Sequence, residues 1–169
     1  MPSSFLPKLN NDSFQNALAK EDELALFDLL VQPLHEALYE KNDFSFMNSL
    51  SEGQQLFLSY DYLRMQVEQG GFIQFLVNGY APLLMNMPEW FSKIGATEMA
   101  LLIDDVLKVY VLNIDFFQPD INVEAFGKLY EELKEFEELD RRFDTIKATA
   151  LKQMVEMAKG TLSEFCTLV

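Results

Sequence analysis

The chain has 169 residues, of which 49% are hydrophobic, and this composition can form a buried core and excludes an intrinsically disordered protein. Twenty-seven acidic residues outweigh 13 basic ones and give a formal net charge of −14, which disfavours direct binding to nucleic acid or to an anionic membrane. Such a charge attracts basic partners, although it can also serve solubility alone.

Two helices are predicted over about residues 12–42, with apolar side chains at spacings of three and four in the second. Asp12 or Ser13 is the candidate cap of the first, because a short polar side chain can accept a hydrogen bond from a free amide of the first turn. Pro33 is expected to kink the second helix or to split it in two. The apolar positions of the second helix are Leu24, Phe27, Leu30 or Val31, Leu34 and Leu38.

The stretch "VEQGGFIQFLVNG" predicts a corner between two helices, the first of which is capped by Ser51. Gly70 fits the left-handed position that commonly closes a helix, since it has no Cβ to clash, and Gly71 allows a sharp turn. Phe72 and Phe75 then restart a short helix and are expected to point inward. A phosphate-binding glycine turn is the alternative, but no Lys, Arg, Ser or Thr beside the glycines completes such a site.

Short helices are expected after the corner, where Pro82 and Pro88 each suit a first helical turn. Thr97 is the candidate cap of a longer helix that runs toward Phe116. Because this helix is apolar on more than one side, it is the best candidate for a central buried helix.

The C-terminal part predicts an amphipathic helix around residues 126–143 and a last helix over about residues 145–158. Taken together, the elements predict an all-α fold, a single compact domain over residues 1–169 with about seven to nine helices.

The sequence predicts no catalytic residue, no metal site and no cofactor. His35 is the only histidine, and Cys166, the only cysteine, lies at the other end of the chain, so a Cys–His nucleophile is not expected. Gln32 stands three residues before His35, where the Glu-x-x-His motif of di-iron bundles needs a glutamate. Zinc ligands and an EF-hand loop are also missing. A non-enzymatic protein is therefore expected.

A cytoplasmic location is expected from three features of the sequence. No apolar run approaches the roughly 18 residues of a membrane helix, and "MPSSFLPKLNNDSF" is a poor signal peptide. The single cysteine cannot form an internal disulfide.

Two acidic runs are the candidate partner-binding surfaces. The first, between Glu21 and Asp43, supplies Glu21, Asp22, Glu23, Asp28, Glu36 and Glu40. The second, between Glu131 and Asp140, supplies Glu131, Glu132, Glu135 and Glu138.

In the second run, Glu131, Glu135 and Glu138 are predicted to share one helix face, roughly opposite Leu133 and Phe136. Carboxylates one turn apart, about 5–6 Å between Cβ atoms, approximate the spacing of phosphates along a nucleic acid strand, about 3.4 Å per step. A solvated face is the alternative, because the i, i+4 pairs Glu137–Arg141 and Glu138–Arg142 would weaken the field.

The segment from Leu50 to Ile146 resembles the bacterial DNA-mimic-protein family. The residues that carry the resemblance are Leu50, Ser51, Gln54, Val67, Gly70, Gly71, Phe72, Gln74, Phe75, Asn78, Ile94, Gly95 and Ala96. The stretch "LDRRFDTI" is similar to the closing segment of that family. The chain departs from the family pattern at Gln69, where Asn is usual, and at Leu76, where a second Phe is usual.

The resemblance implies an all-helical fold. It also implies an acidic surface that imitates DNA and occupies the binding site of a basic DNA-binding protein. In it the signature residues Gly70, Gly71, Phe72 and Phe75 look structural. Gln74 and Asn78 are expected to satisfy backbone groups at the corner, with a small polar pocket as the alternative. An immunity-type inhibitor of a basic toxin nuclease, and a small-ligand or enzymatic module beside Gln74 and Asn78, are the other functions considered. The oligomeric state is left open.

Overall fold

The computed structural model describes residues 4–169, and nearly all regular structure in that range is helical. The α-helices of this range are α1 Asn11–Ala19, α2 Glu23–Lys41, α3 Glu52–Val77, α4 Met87–Lys93, α5 Thr97–Leu112, α6 Val123–Glu132 and α7 Glu135–Gly160. Short 3-10 helices cover Phe44–Ser49, Ala81–Leu84, Ile114–Phe116 and Leu162–Glu164. Two strands of two residues each, β1 Lys8–Leu9 and β2 Thr167–Leu168, pair in parallel. The predicted all-α class is confirmed.

The fold divides into two compact units, and both α3 and α7 run from one unit into the other. The first unit contains the described residues up to Asp61 together with Thr149–Val169. The second contains Tyr62–Ala148. The single-domain organisation expected from the sequence stays a prediction.

Aromatic rings form the centre of the first unit. The Phe27 and Phe57 rings stack with centroids 4.8 Å apart, and Phe165 meets Phe57 edge-on at 4.8 Å. All three side chains are fully buried. The Phe165 ring lies so close to Gly53 that a Cβ there would be 2.7 Å from it, so residue 53 has room only for glycine.

A capping box starts α3 and ties the chain ends to it. The Ser51 hydroxyl accepts from the Gln54 backbone N–H at 3.1 Å, and the Gln54 side-chain oxygen accepts from the Ser51 backbone N–H at 2.9 Å. The buried Gln54 amide also donates to the carbonyls of Phe5 and Phe165, at 2.9 and 3.0 Å. Ser51 is therefore a cap, as predicted, and Gln54 joins three segments of the first unit.

Helix α1 is capped by Asn10, whose side chain accepts from the Ser13 N–H at 2.9 Å. The prediction of Asp12 or Ser13 as the cap is wrong by two or three positions, because both residues already lie inside the helix. Helix α2 passes Pro33 without interruption, so it is not split there. Proline has no N–H, so the carbonyl four residues earlier loses its helical donor.

In the second unit, α5 has fully buried side chains as far as Val106, but its C-terminal end is exposed. Leu102, Ile103 and Val106 are fully buried, whereas Val111 and Leu112 are 62% and 83% exposed. The prediction of a buried central helix is therefore wrong for the C-terminal end of α5. Thr97 is the first residue of this helix and therefore does not cap it. The cap position is Ala96, and no side chain makes a capping hydrogen bond there.

The C-terminal helices divide at a different place from the one predicted. Helix α6 ends at Glu132, where Leu133 takes non-helical dihedral angles (φ −109°, ψ 58°), and α7 then runs unbroken from Glu135 to Gly160. Leu133, at the break itself, and Phe136, in the first turn of α7, are both buried. None of the helices in the described range has the length and apolarity needed to span a lipid bilayer.

Candidate functional site

The double glycine forms a corner inside α3, within the second unit. The backbone leaves helical geometry at Gly70 (φ −148°, ψ 20°) and at Gly71 (φ 72°, ψ −177°). The positive φ lies at Gly71, so the assignment of the left-handed position to Gly70 is wrong. We call these two residues the glycine corner.

Two side chains from α6 and α7 satisfy the backbone groups that the glycine corner releases. The Tyr130 hydroxyl donates to the Gly70 carbonyl at 2.7 Å. One oxygen of the Asp140 carboxylate accepts from the Phe72 N–H at 2.9 Å, and the other occupies the space that a Cβ on Gly71 would need. Gly71 is thus required both by its dihedral angles and by the close approach of Asp140.

The other signature side chains brace the glycine corner. Phe72 and Phe75 are fully buried, and the Phe72 ring meets Phe143 edge-on at 5.9 Å. These two therefore have the structural place that the family resemblance implies.

The polar pair of the signature bonds to side chains and not to the backbone. The Gln74 amide donates to the side-chain oxygens of Gln66 at 3.0 Å and Gln69 at 2.8 Å, and Asn78 donates to the same Gln66 oxygen at 2.7 Å. This amide network spans the glycine corner, with Gln66 and Gln69 on one side and Gln74 and Asn78 on the other. The expectation that Gln74 and Asn78 satisfy backbone groups is therefore wrong.

Burial raises the pKa of Asp140 above its ordinary value of 3.8. The hydrogen bond from Phe72 acts in the opposite direction, and the neighbouring Asp144 and Glu137 raise the pKa further. Burial also raises the pKa of the Tyr130 hydroxyl, to which the Asp140 carboxylate adds. Tyr130 therefore keeps its proton and stays a donor to Gly70.

Replacement of Asp140 should separate its charge from its acceptor role. A raised native pKa means that the folded chain binds the proton more tightly than the unfolded chain, so stability falls as pH rises from about 3.8 through the native pKa. Asp140→Asn removes this charge and keeps an acceptor for Phe72, so its stability relative to wild type should increase with pH over that window. Asp140→Ala removes the same titrating group, so it should show the same pH dependence, but it should be about 1–3 kcal/mol less stable than Asp140→Asn because the Phe72 N–H loses its partner. Urea unfolding at a series of pH values measures both, and a pH-independent difference for Asp140→Asn would contradict the assignment.

The second acidic run surrounds the break between α6 and α7. Five of its glutamates are exposed there, and we call them the acidic turn: Glu131, Glu132, Glu135, Glu137 and Glu138. The predicted single face of Glu131, Glu135 and Glu138 is wrong, because the break at Leu133 places Glu131 on α6 and the other two on α7. Asp140, counted with this run in the sequence, turns inward to the glycine corner.

The acidic turn is held at both ends to the glycine corner. Tyr130 precedes its first glutamate and bonds to Gly70, and Asp140 follows its last and bonds to Phe72. The glycine corner therefore anchors the chain segment that carries these carboxylates, although the sequence connects the two regions only over some 60 to 70 residues.

The arginines after the acidic turn pair differently from the sequence prediction. Arg141 bonds to Glu138 at 2.8 Å, three residues away, and Arg142 reaches Asp105 on α5 at 2.7 Å. The hydrogen bond from Arg142 lowers the pKa of Asp105. Within the described residues, no basic side chain lies within 4.0 Å of the carboxylates of Glu131, Glu132, Glu135 or Glu137 in a salt bridge.

The first acidic run lies on α2 and on the turn before it, in the first unit. Its exposed members are Glu21, Asp22, Asp28, Glu36 and Glu40, whereas Glu23 is half-buried. Asp22 is the cap of α2 and accepts from the Ala25 N–H at 3.0 Å. Glu21 and Glu23 line a groove with Lys152 and Lys159, and these ammonium groups reduce the negative field there.

Sequence reasoning missed one polar pair, which joins the partly buried His35 to the buried Asp61. The His35 ring nitrogen Nε2 lies 2.8 Å from a carboxylate oxygen of Asp61, which is only 6% exposed. An acidic residue inside a run as apolar as "LFLSYDYL" is the signal that could have indicated a buried partner.

A family model described as DMP19-like protein matches residues 48–159, more than half of the chain. The matched range includes the glycine corner, Tyr130, Asp140 and the acidic turn, but not the first acidic run. No curated protein matches the chain. The chain belongs to the DMP19-like family, which is a family of DNA-mimic proteins.

Proposed function

We propose that this protein is a non-enzymatic DNA mimic that binds a basic DNA-binding protein and competes with DNA for it. The observation that carries the proposal is the anchoring of the acidic turn to the glycine corner by Tyr130 and Asp140. Carboxylates on an anchored segment keep their spacing, and a fixed array of negative charge can match a surface built to bind phosphates.

The acidic turn is the preferred contact surface of the two acidic runs. It lies inside the range shared with the family, and four of its five glutamates are outside the salt bridges of the described residues. The first run lies outside that range, and part of it faces Lys152 and Lys159. Away from those lysines, the exposed acidic residues of α2 are Asp28, Glu36 and Glu40, which span about 18 Å of helix at 1.5 Å per residue.

The proposal predicts that the chain displaces DNA from its partner and that the displacement weakens as salt rises. A protein captured from the native host on the immobilised chain at low salt would be identified by mass spectrometry and purified. Displacement of a labelled duplex from that protein by the full chain would then be followed at increasing salt. Charged surfaces are screened over about 8 Å at physiological ionic strength, so the affinity should fall steeply.

Three matched triple variants locate the contact, since each reverses three acids to lysine and changes the net charge equally. The turn variant changes Glu131, Glu132 and Glu135, the α2 variant changes Asp28, Glu36 and Glu40, and the control changes the exposed Asp12, Glu89 and Glu164. The turn variant should lose about tenfold or more in affinity for the partner, which corresponds to about 1.4 kcal/mol, while the control stays close to wild type. An equal loss of affinity in all three variants would show that only the net charge matters and not the acidic turn. If the wild-type chain displaces no DNA at all, the proposed function is wrong.

A further inference from the structure

An open groove with an apolar floor and an acidic rim lies beside the acidic turn, in the second unit. It occupies about 450 Å³ between the chain from Asp115 to Asn122 and one side of α6. Its apolar lining, which we call the floor, is formed by Phe116, Pro119, Ile121, Ala125 and Leu129. Its carboxylates are those of Asp115, Asp120 and Glu132, and its one basic side chain, Lys128, is paired with Glu124 at 3.3 Å.

The chain that forms the groove is held by specific contacts. The Phe117 ring packs edge-on against Phe136 at 6.0 Å and lies 5.3 Å from Tyr110. Asn122 caps α6 by accepting from the Ala125 N–H at 2.8 Å. The groove walls are therefore fixed to α5, α6 and α7, so the depression is a built feature of the fold.

Apolar side chains remain exposed at and around this groove, although the molecule is strongly acidic. Phe116 in the floor is 42% exposed, and nearby in sequence Leu112 and Val123 are 83% and 87% exposed. Exposed apolar surface bordered by charges is typical of protein-binding sites. Solubility and simple charge imitation of DNA do not require it.

We propose that this groove binds an arginine or lysine side chain of the basic partner, an inference that rests on the proposed function. The hydrocarbon stem of such a side chain would cover the apolar floor, while its charged head stays at the carboxylate rim. The Phe116 ring, which is partly exposed, offers a cation–π contact to that head. The groove carries three carboxylates against one lysine that is already paired, so its charge matches a cation.

Continuity with the acidic turn supports the same occupant. Glu132 belongs both to the acidic turn and to the rim of the groove, so a partner that binds the turn places its basic side chains at the groove. The turn would then supply long-range attraction, and the groove would select a partner with a suitably placed basic side chain. A nucleic acid and a second copy of this acidic chain are repelled by the same carboxylates.

A peptide titration tests the groove without the unidentified partner. The isotope-labelled full chain would be titrated at low salt with an acetylated, amidated peptide of alternating glycine and arginine, and backbone amide shifts would be followed by NMR. The largest shifts should belong to the backbone amides of the groove residues. These are the apolar Phe116, Ile121 and Leu129 and the acidic Asp115, Asp120 and Glu132. Phe116→Ala should weaken peptide binding about two- to fivefold, the loss expected for one exposed cation–π contact, with no change in net charge.

Phe44→Ala is the matched control, since Phe44 is a similarly exposed phenylalanine, at 52%, in the first unit. Its peptide affinity should equal that of wild type. Shifts spread over both acidic runs, or an unchanged affinity of Phe116→Ala, would overturn the groove as a site. Failure of the chain to displace DNA would instead remove the proposed function, so the two failures give different results.

Discussion

Substitution of Gly71 by alanine should destabilise the protein by about 3 kcal/mol. The native dihedral angles, φ 72° and ψ −177°, lie in a region that is essentially reserved for glycine, and a non-glycine residue there costs of order 1–3 kcal/mol. In addition, the new Cβ would lie 2.9 Å from the carboxyl carbon of Asp140 and closer still to one of its oxygens. Asp140 must then move, which removes the acceptor of the Phe72 N–H at a further cost of about 1–3 kcal/mol.

Gly79→Ala separates the two contributions to this loss. Gly79 also has a positive φ, 83°, but no atom lies within 4 Å of the Cβ that alanine would add. The control should therefore show the cost of a side chain at positive φ without the clash. For a chain of this size each kcal/mol lowers Tm by about 2–4 °C, so thermal unfolding resolves the difference.

The clash between the new Cβ at residue 71 and the Asp140 carboxylate can also be relieved by shortening Asp140. In Gly71→Ala combined with Asp140→Ala the obstructing carboxylate is gone, so the double variant should lose less stability than the sum of the two single losses. Additive losses, or equal losses for Gly71→Ala and Gly79→Ala, would show that Asp140 does not occupy the space beside Gly71.

Substitution of Gln54 by alanine should cost about 3 kcal/mol or more. The side chain is fully buried and makes three hydrogen bonds to backbone groups of Ser51, Phe5 and Phe165. Each buried backbone group that loses its partner costs about 1–3 kcal/mol, and the sum is reduced where water can enter. The carbonyls of Phe5 and Phe165 belong to the two ends of the chain, so hydrogen exchange should increase in both terminal segments.

The neighbouring Gln55 provides a matched control, because it is partly exposed and makes one hydrogen bond, to the Leu50 carbonyl at 3.1 Å. Gln55→Ala should cost about 1 kcal/mol. Gln54→Glu keeps the acceptor for Ser51 but loses both donors when ionised, so its stability should fall as pH rises through the pKa of the new carboxyl group. Equal losses for Gln54→Ala and Gln55→Ala would contradict the joining role of Gln54.

Short-range chemistry in the sequence determined much of this fold. The three-and-four spacing of apolar residues predicted the helices, because a buried helix face repeats with the helical turn. Ser51 was predicted as a cap, since the acceptor and the donor it needs lie three residues apart. The glycine pair predicted the break inside α3. The negative net charge predicted a basic partner, which stays a proposal that the family membership supports.

Contacts between distant residues decided what the sequence alone could not. The positive φ lies at Gly71 and not at Gly70, and Asp140, about 70 residues away in sequence, fills the space that a side chain at Gly71 would need. The run of glutamates was divided where Leu133 turned inward, so one predicted face became a turn between two helices. Arg142 paired with Asp105 on another helix instead of with its own neighbour.

The physical reason is the same in each case. Local spacing sets which backbone conformation and which cap have the lowest free energy along a short segment, and those preferences can be derived from neighbouring residues. The direction in which a charged side chain points depends on which partners and how much solvent the packed chain leaves within its reach. The sequence therefore determined that the protein is helical and acidic, and only the tertiary structure decided which carboxylates face outward and which one, Asp140, holds the glycine corner.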